Sequence, residues 1–128
     1  MSKKILIVED DPLSMRVLRM LLRSYGYSLL EATDGEKALK VACSDKPDLI
    51  IMDIQLPKVS GLEVARQLRQ MSDLNHTPIV ALTAYAMNGD KEKTISAGCD
   101  AYVAKPINAR ELLRLITEML LQRKENSV

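Results

Sequence analysis

The stretch Asp48-Leu49-Ile50-Ile51-Met52-Asp53 decides the fold of this chain. Its four consecutive large apolar residues show none of the polar alternation of a half-exposed strand, so the run reads as a strand covered on both faces. An acid stands directly at its end. Strands of this kind belong to parallel sheets, and parallel strands need helical crossovers between them. The rest of the chain should therefore alternate short apolar runs with longer amphipathic ones.

Read outward from that centre, the alternation recurs about five times. Strands are expected at Lys4–Val8, Ser28–Ala32, Asp48–Met52, Pro78–Leu82 and Ala101–Val103. Pro12 suits the first position of a helix capped by Asp11, with Val17, Leu18, Leu21, Leu22 and Tyr25 inward and Gly26 as the stop. Asp34 is expected to cap a second helix carrying Ala38, Leu39 and Ala42. A third follows Gly61 with Val64, Ala65 and Leu68 inward, a fourth covers roughly Asn88–Ala97, and Asn108 caps a fifth that buries Leu112, Leu115, Ile116, Met119 and Leu120. The architecture is (βα)5, a doubly wound five-stranded parallel sheet in the α/β class.

A chain of 128 residues has room for one such domain. The reading assigns residues 1–123 to it and 124–128 to a frayed tail, with no output domain. Eighteen Lys and Arg against seventeen Asp and Glu leave a net charge of +1. No overall field then favours nucleic acid or an anionic membrane, and Arg110, Arg114, Arg123 and Lys124 read as a solvated face. The first apolar run is too short for a secretory signal and none approaches the length of a membrane span, so a cytoplasmic location is expected. Cys43 and Cys99 lack metal-site or redox spacing and read as reduced packing residues. His76 reads as a loop residue.

In doubly wound sheets, ligands bind beyond the carboxyl ends of the strands. Those ends carry Glu9-Asp10-Asp11, Asp53, Thr83 and Lys105. Clustered carboxylates repel unless a cation sits among them, and hard oxygen donors suit Mg²⁺. A carboxylate can also act as nucleophile toward phosphorus when charge on the transferring oxygens is neutralised, here by Mg²⁺ and Lys105. Thr83 offers a hydroxyl to a phosphoryl oxygen. Asp11 reads as the helix cap rather than a metal ligand.

At these residues the sequence resembles the receiver domains of bacterial two-component response regulators, over essentially the whole chain. The matching motifs are Ile7-Val8-Glu9-Asp10-Asp11, Pro47 to Asp53, Leu56-Pro57 with Gly61, Leu82-Thr83-Ala84, and Tyr102-Val103-Ala104-Lys105-Pro106. The intervals from Asp53 to Thr83 and to Lys105 also fit. Met52 to Pro57 and Thr83 to Met87 further resemble the single-domain DivK-type regulators. The resemblance implies a flavodoxin-like receiver fold and a phosphoacceptor at Asp53. It implies metal ligation by Glu9, Asp10, Asp53 and the Gln55 carbonyl, with Mg²⁺ replaceable by Mn²⁺. Glu9 stands where many relatives have aspartate, so direct or water-mediated ligation both stay open. Thr83, Ala84 and Lys105 would contact the phosphoryl group, Lys105-Pro106 would be cis, and Thr83 and Tyr102 would form the switch. Donors would be a sensor histidine kinase or a histidine phosphotransferase. A downstream protein would bind the last two helices and strand.

Gln55 and Tyr85 should flank any water attacking the phosphoaspartate, and the bulk of Tyr85 points to a lifetime of minutes or longer. Leu13, Met15 and Met20, largely outside the inward stripe of the first helix, together with Pro106, are expected to form the donor's docking surface. Three other functions are weaker. A phosphatase of the haloacid-dehalogenase kind would want an acid where Gln55 stands. An inactive binding module would not need the full set of strand-end groups. A flavodoxin-like cofactor binder would want a phosphate-cradling loop after the first strand.

Overall fold

Five strands and five helices alternate without exception in the computed structural model, which describes residues 2–84 and 90–126. The strands are β1 (Lys4–Val8), β2 (Ser28–Ala32), β3 (Leu49–Asp53), β4 (Ile79–Thr83) and β5 (Ala101–Ala104). The helices are α1 (Pro12–Arg23), α2 (Gly35–Asp45), α3 (Gly61–Arg69), α4 (Asp90–Ser96) and α5 (Ala109–Asn126). One sheet in the order β2-β1-β3-β4-β5 pairs every neighbour in parallel. The order turns around between β1 and β3, which makes the ends of those two strands the natural place for a ligand.

Side-chain alternation along the strands sorts the core into two layers. Leu6, Val8, Ile50, Met52, Ile79 and Ala81 face one side, covered by α2, α3 and the residues closing α4. Ile5, Ile7, Leu49, Ile51, Val80 and Leu82 face the other, under α1 and α5. Every residue of β3 and β4 is buried, as continuous apolar runs require.

Sequence and structure differ at element ends and on one helix. β3, β4 and β5 each run one residue further than expected because their ladders continue, Asp53 pairing with Leu82 and Thr83 with Ala104, and β3 and β4 each begin one residue later, after Asp48 and Pro78. Asp53 and Thr83 thus close their strands, while Glu9 and Lys105 directly follow theirs. α5 continues to Asn126, so residues 124–126, expected in the tail, are helical. Cys43 is exposed, not packed, with its sulfur 3.6 Å from that of Met71, whereas Cys99 is buried and burial pushes its thiol up to about 11.

α1 needs the largest correction. It begins as expected, with Pro12 in its first turn and the Asp11 side chain accepting the Ser14 amide. Its buried face is Met15, Leu18 and Leu22, while Val17 is 50% and Tyr25 63% exposed. Met15 is therefore core and cannot belong to a docking surface. The helix carries apolar residues around more than half its circumference, so spacing alone does not choose the arc that faces the sheet. Burial of the three inward residues contributes about 5–8 kcal/mol gross. The cap adds about 1 kcal/mol, so packing holds the helix and the cap sets where it starts.

Arg69, at the end of α3, ties the opposite end of the sheet from the acidic strand ends. Its guanidinium donates to the carbonyls of Gly98 (2.7 Å) and Thr77 (2.7 Å) and pairs with the Asp100 carboxylate at 2.6 Å. Asp100 in turn accepts the Ile79 amide at 2.8 Å. No helix among the described residues is long and apolar enough to cross a membrane.

Candidate functional site

The strand ends of β1, β3, β4 and β5 bring Glu9, Asp10, Asp53, Thr83 and Lys105 to one rim of the sheet. Glu9 follows the last residue of β1, where its amide still pairs with Ala32 C=O at 3.1 Å. Its side chain is consequently held inside, 1% exposed. Asp53 is 6% exposed, and Thr83 is fully buried. Lys105 leaves β5 with its amide on Thr83 C=O at 2.7 Å, which aims its long side chain back across the rim. The Lys105-Pro106 bond is cis, as the resemblance implies.

The ammonium of Lys105 bridges the two buried acids, 2.9 Å from Glu9 Oε2 and 2.8 Å from Asp53 Oδ2. Each acid gives its other oxygen to a backbone amide. Asp11 N–H donates to Glu9 Oε1 at 3.2 Å, and Gln55 N–H donates to Asp53 Oδ1 at 2.8 Å. Burial raises the Glu9 pKa; the hydrogen bond from Lys105 opposes it, and the charge of Asp53 adds to it. Burial works against the Lys105 ammonium, but its bonds to Asp53 and Glu9 outweigh that and hold its pKa above the ordinary lysine value.

Glu9, Asp10 and Asp53 can place one oxygen each so that all lie within 4.8 Å of one another. Three hard oxygen donors this close, two of them buried, fit a divalent cation such as Mg²⁺. Such an ion would neutralise charge on the oxygens of a transferring phosphoryl group. Asp11 stands apart as the cap: its carboxylate accepts from the Ser14 hydroxyl at 2.8 Å and the Ser14 amide at 3.2 Å, which lowers its pKa.

Ala84 is exposed just beyond Thr83, and Tyr102 is half-buried on β5, paired in register with Ala81 of β4. Leu13, Met20 and Pro106 are exposed. Tyr85 lies outside the described residues, as do Ala86, Met87 and the expected first turn of α4 at residues 88 and 89; so do the side chains of Arg123 and Lys124. Sequence reading missed how the loop bearing Gln55 is supported. Gly35 packs directly against Val59 of that loop, and no periodicity or residue type in the sequence signals the contact.

The model of the response regulator receiver domain matches residues 5–117. The polar-differentiation response regulator DivK of Brucella anthropi is 44% identical over 120 residues, covering 94% of this chain and 98% of that protein. Among solved structures, the receiver domain of a sensor histidine kinase from Pseudomonas aeruginosa, which has a magnesium ion coordinated in its active-site cleft, superposes with a TM-score of 0.88. It is 37% identical and covers 94% of this chain and 98% of that one. A CheY-like receiver domain protein from Methanospirillum hungatei reaches a TM-score of 0.91 at 28% identity, over 98% of this chain and 99% of that one. A doubly wound sheet with acids at its switch point thus meets a family match over nearly its full length: the chain belongs to the response regulator receiver domains of two-component signalling.

Proposed function

We propose that Asp53 accepts a phosphoryl group from a phosphohistidine, with Glu9, Asp10 and the Gln55 carbonyl as metal ligands beside it and Mg²⁺, or Mn²⁺ in its place, as the ion. The observation that carries this is Asp53 at the end of β3 with the Lys105 ammonium 2.8 Å away and two further carboxylates alongside. The Asp53 carboxylate attacks phosphorus and a P–O bond forms. The donor's P–N bond breaks, and its electron pair stays on the imidazole, which takes up a proton. Lys105 meets the charge on the phosphoryl oxygens, and Thr83 and the Ala84 amide hydrogen-bond to them. The chain is a phosphoacceptor rather than an enzyme with turnover, and a cytoplasmic location goes with donors of this class.

Incubating the protein with Mg²⁺ and acetyl phosphate and weighing it intact tests the reading. A single phosphoryl adduct is expected, absent in Asp53→Asn and absent with EDTA. An adduct that survives in Asp53→Asn would overturn it. In the same samples Tyr102 should change its fluorescence on uptake and Thr83→Ala should not show the change, since these two residues form the proposed switch. The output surface is α4, β5 and α5, where Ile95 is 45% and Leu121 56% exposed. Net charge near neutral favours a protein target there rather than nucleic acid.

The donor's docking surface is the outer face of α1. Leu13 (69% exposed), Val17 (50%) and Met20 (66%) follow one another at helical spacing and give an apolar stripe beside the rim, with exposed Pro106 in the loop after β5. A partner helix bearing the phosphohistidine fits such a stripe. Met20→Asp should slow transfer from a cognate kinase or phosphotransferase at least tenfold while leaving uptake from acetyl phosphate unchanged. Equal rates of protein-to-protein transfer would remove this surface from the proposal.

A further inference from the structure

The loop between β3 and α3 carries Gln55 and therefore one edge of the site. At its root Gly61 N–H donates to Ile54 C=O at 3.1 Å. A Cβ on Gly61 would stand 2.6 Å from the Asp53 carbonyl oxygen and 2.7 Å from Ile54 Cα, so the loop closes there backbone against backbone. At its tip Val59 N–H reaches back to Pro57 C=O at 2.9 Å, with Lys58 between them at φ 67°. A three-residue turn with a lysine in the left-handed region is strained, and such turns persist where their surroundings hold them.

The holding contact comes from α2. A Cβ on Gly35, its first residue, would lie 2.4 Å from the Val59 carbonyl oxygen and 2.8 Å from Val59 Cβ. The Lys58 ammonium also reaches Asp34 at 3.8 Å and Glu36 at 3.9 Å. Those pairs are long and the Lys58 side chain is 59% exposed, so they contribute little. The close seat of Val59 on Gly35 is what fixes the tip.

We infer that Gly35 is a positioning residue for the metal end of the site: the absence of a side chain there lets the β3–α3 loop seat on the start of α2 and so fixes the backbone of Gln55. The inference rests on the metal reading given above. A methyl group at position 35 must push Val59 away by about 1 Å to reach ordinary contact. The tight closure at Gly61 cannot absorb that displacement, so it passes to residues 55–58. Mg²⁺ demands near-octahedral geometry at short ligand distances and tolerates such an error poorly.

Titrating Mg²⁺ alone into the full chain, by calorimetry and by amide NMR, tests this with Gly35→Ala, Val59→Gly and Ala42→Gly. Gly35→Ala should weaken Mg²⁺ binding roughly tenfold or more and speed exchange of the Gln55 amide by a similar factor. Val59→Gly, which loosens the same seat from the loop side, should shift both readouts in the same direction and decides the matter if Gly35→Ala does not fold. Ala42→Gly loosens the same helix two turns further on and should move neither by more than about twofold. Wild-type affinity and exchange in Gly35→Ala, or an equal loss in Ala42→Gly, would overturn the inference. If the wild-type chain bound no Mg²⁺, the metal reading would fail, while Gln55 exchange would still decide whether Gly35 seats the loop.

Discussion

Lys105→Met takes up a phosphoryl group on Asp53 about a hundredfold more slowly than the wild type, by intact-mass time course with acetyl phosphate and saturating Mg²⁺. That is the expected result, because a charged donor aimed at developing oxyanion charge in a partly dry site is worth about two to three orders of magnitude. Lys105 bonds both buried acids and is itself largely shielded, its side chain 20% exposed. Its loss also leaves Glu9 and Asp53 facing each other without a counter-charge. In EDTA, urea unfolding should show a loss of about 2–3 kcal/mol at neutral pH, somewhat below the usual figure for breaking a fully buried pair because Lys105 is partly solvated. The pH dependence has a definite sign. Glu9 already titrates above its ordinary value through burial, and losing the Lys105 hydrogen bond raises it further. The folded state then binds a proton the unfolded state does not, so the deficit shrinks as pH falls through the raised Glu9 pKa and is full above it. Uptake at the wild-type rate would rule out the role given to this ammonium.

Arg69→Met should destabilise the domain by about 2–4 kcal/mol and leave phosphoryl uptake within about twofold of wild type. Hydrogen bonds from a charged donor contribute about 1.5–3 kcal/mol each but do not add fully, and this side chain is 21% exposed. Removal takes the guanidinium from the carbonyls of Thr77 and Gly98 and frees Asp100 from the one cation paired with it among the described residues. The aliphatic stem of Arg69 also fills the space beside Gly98, where a Cβ would meet its Cγ at 2.6 Å. The expected readout is a fall in the urea midpoint of about 1–2 M with unchanged slope. A midpoint within experimental error of wild type would show that the clamp is redundant.

The fold was legible because the strands are buried on both faces. β1 and β2 fall on the residues the apolar runs mark, and the caps Asp11, Asp34, Ser60 and Asn108 sit where hydrogen-bonding side chains precede amphipathic segments. Ser60 was the one cap not singled out. The site was legible for a related reason: once the sheet is doubly wound, the polar residues at its strand ends must meet at one rim, so Glu9, Asp53 and Lys105 could be brought together from the sequence alone. What stayed hidden depends on contacts that leave no periodic trace. Met15 and Val17 differ only in the rotational setting of α1. Arg69 reads as one more exposed helix cation until the carbonyls of a distant turn surround it. Gly35 and Val59 meet across 24 residues of sequence, and neither residue type announces the other.

The division of the core into two layers has a consequence for how a message crosses the domain. α1, where a donor would dock, lies with α5 on one side of the sheet, and α4 closes against the other. Between them stands a sheet in which β3 and β4 have no exposed residue and pack densely on both faces. Packing of this kind favours coupling around the rim of the sheet over coupling through its centre. A chemical event at the rim, where Asp53 and Thr83 close neighbouring strands and Lys105 follows the next, is therefore placed where one small charge can be felt on both sides at once.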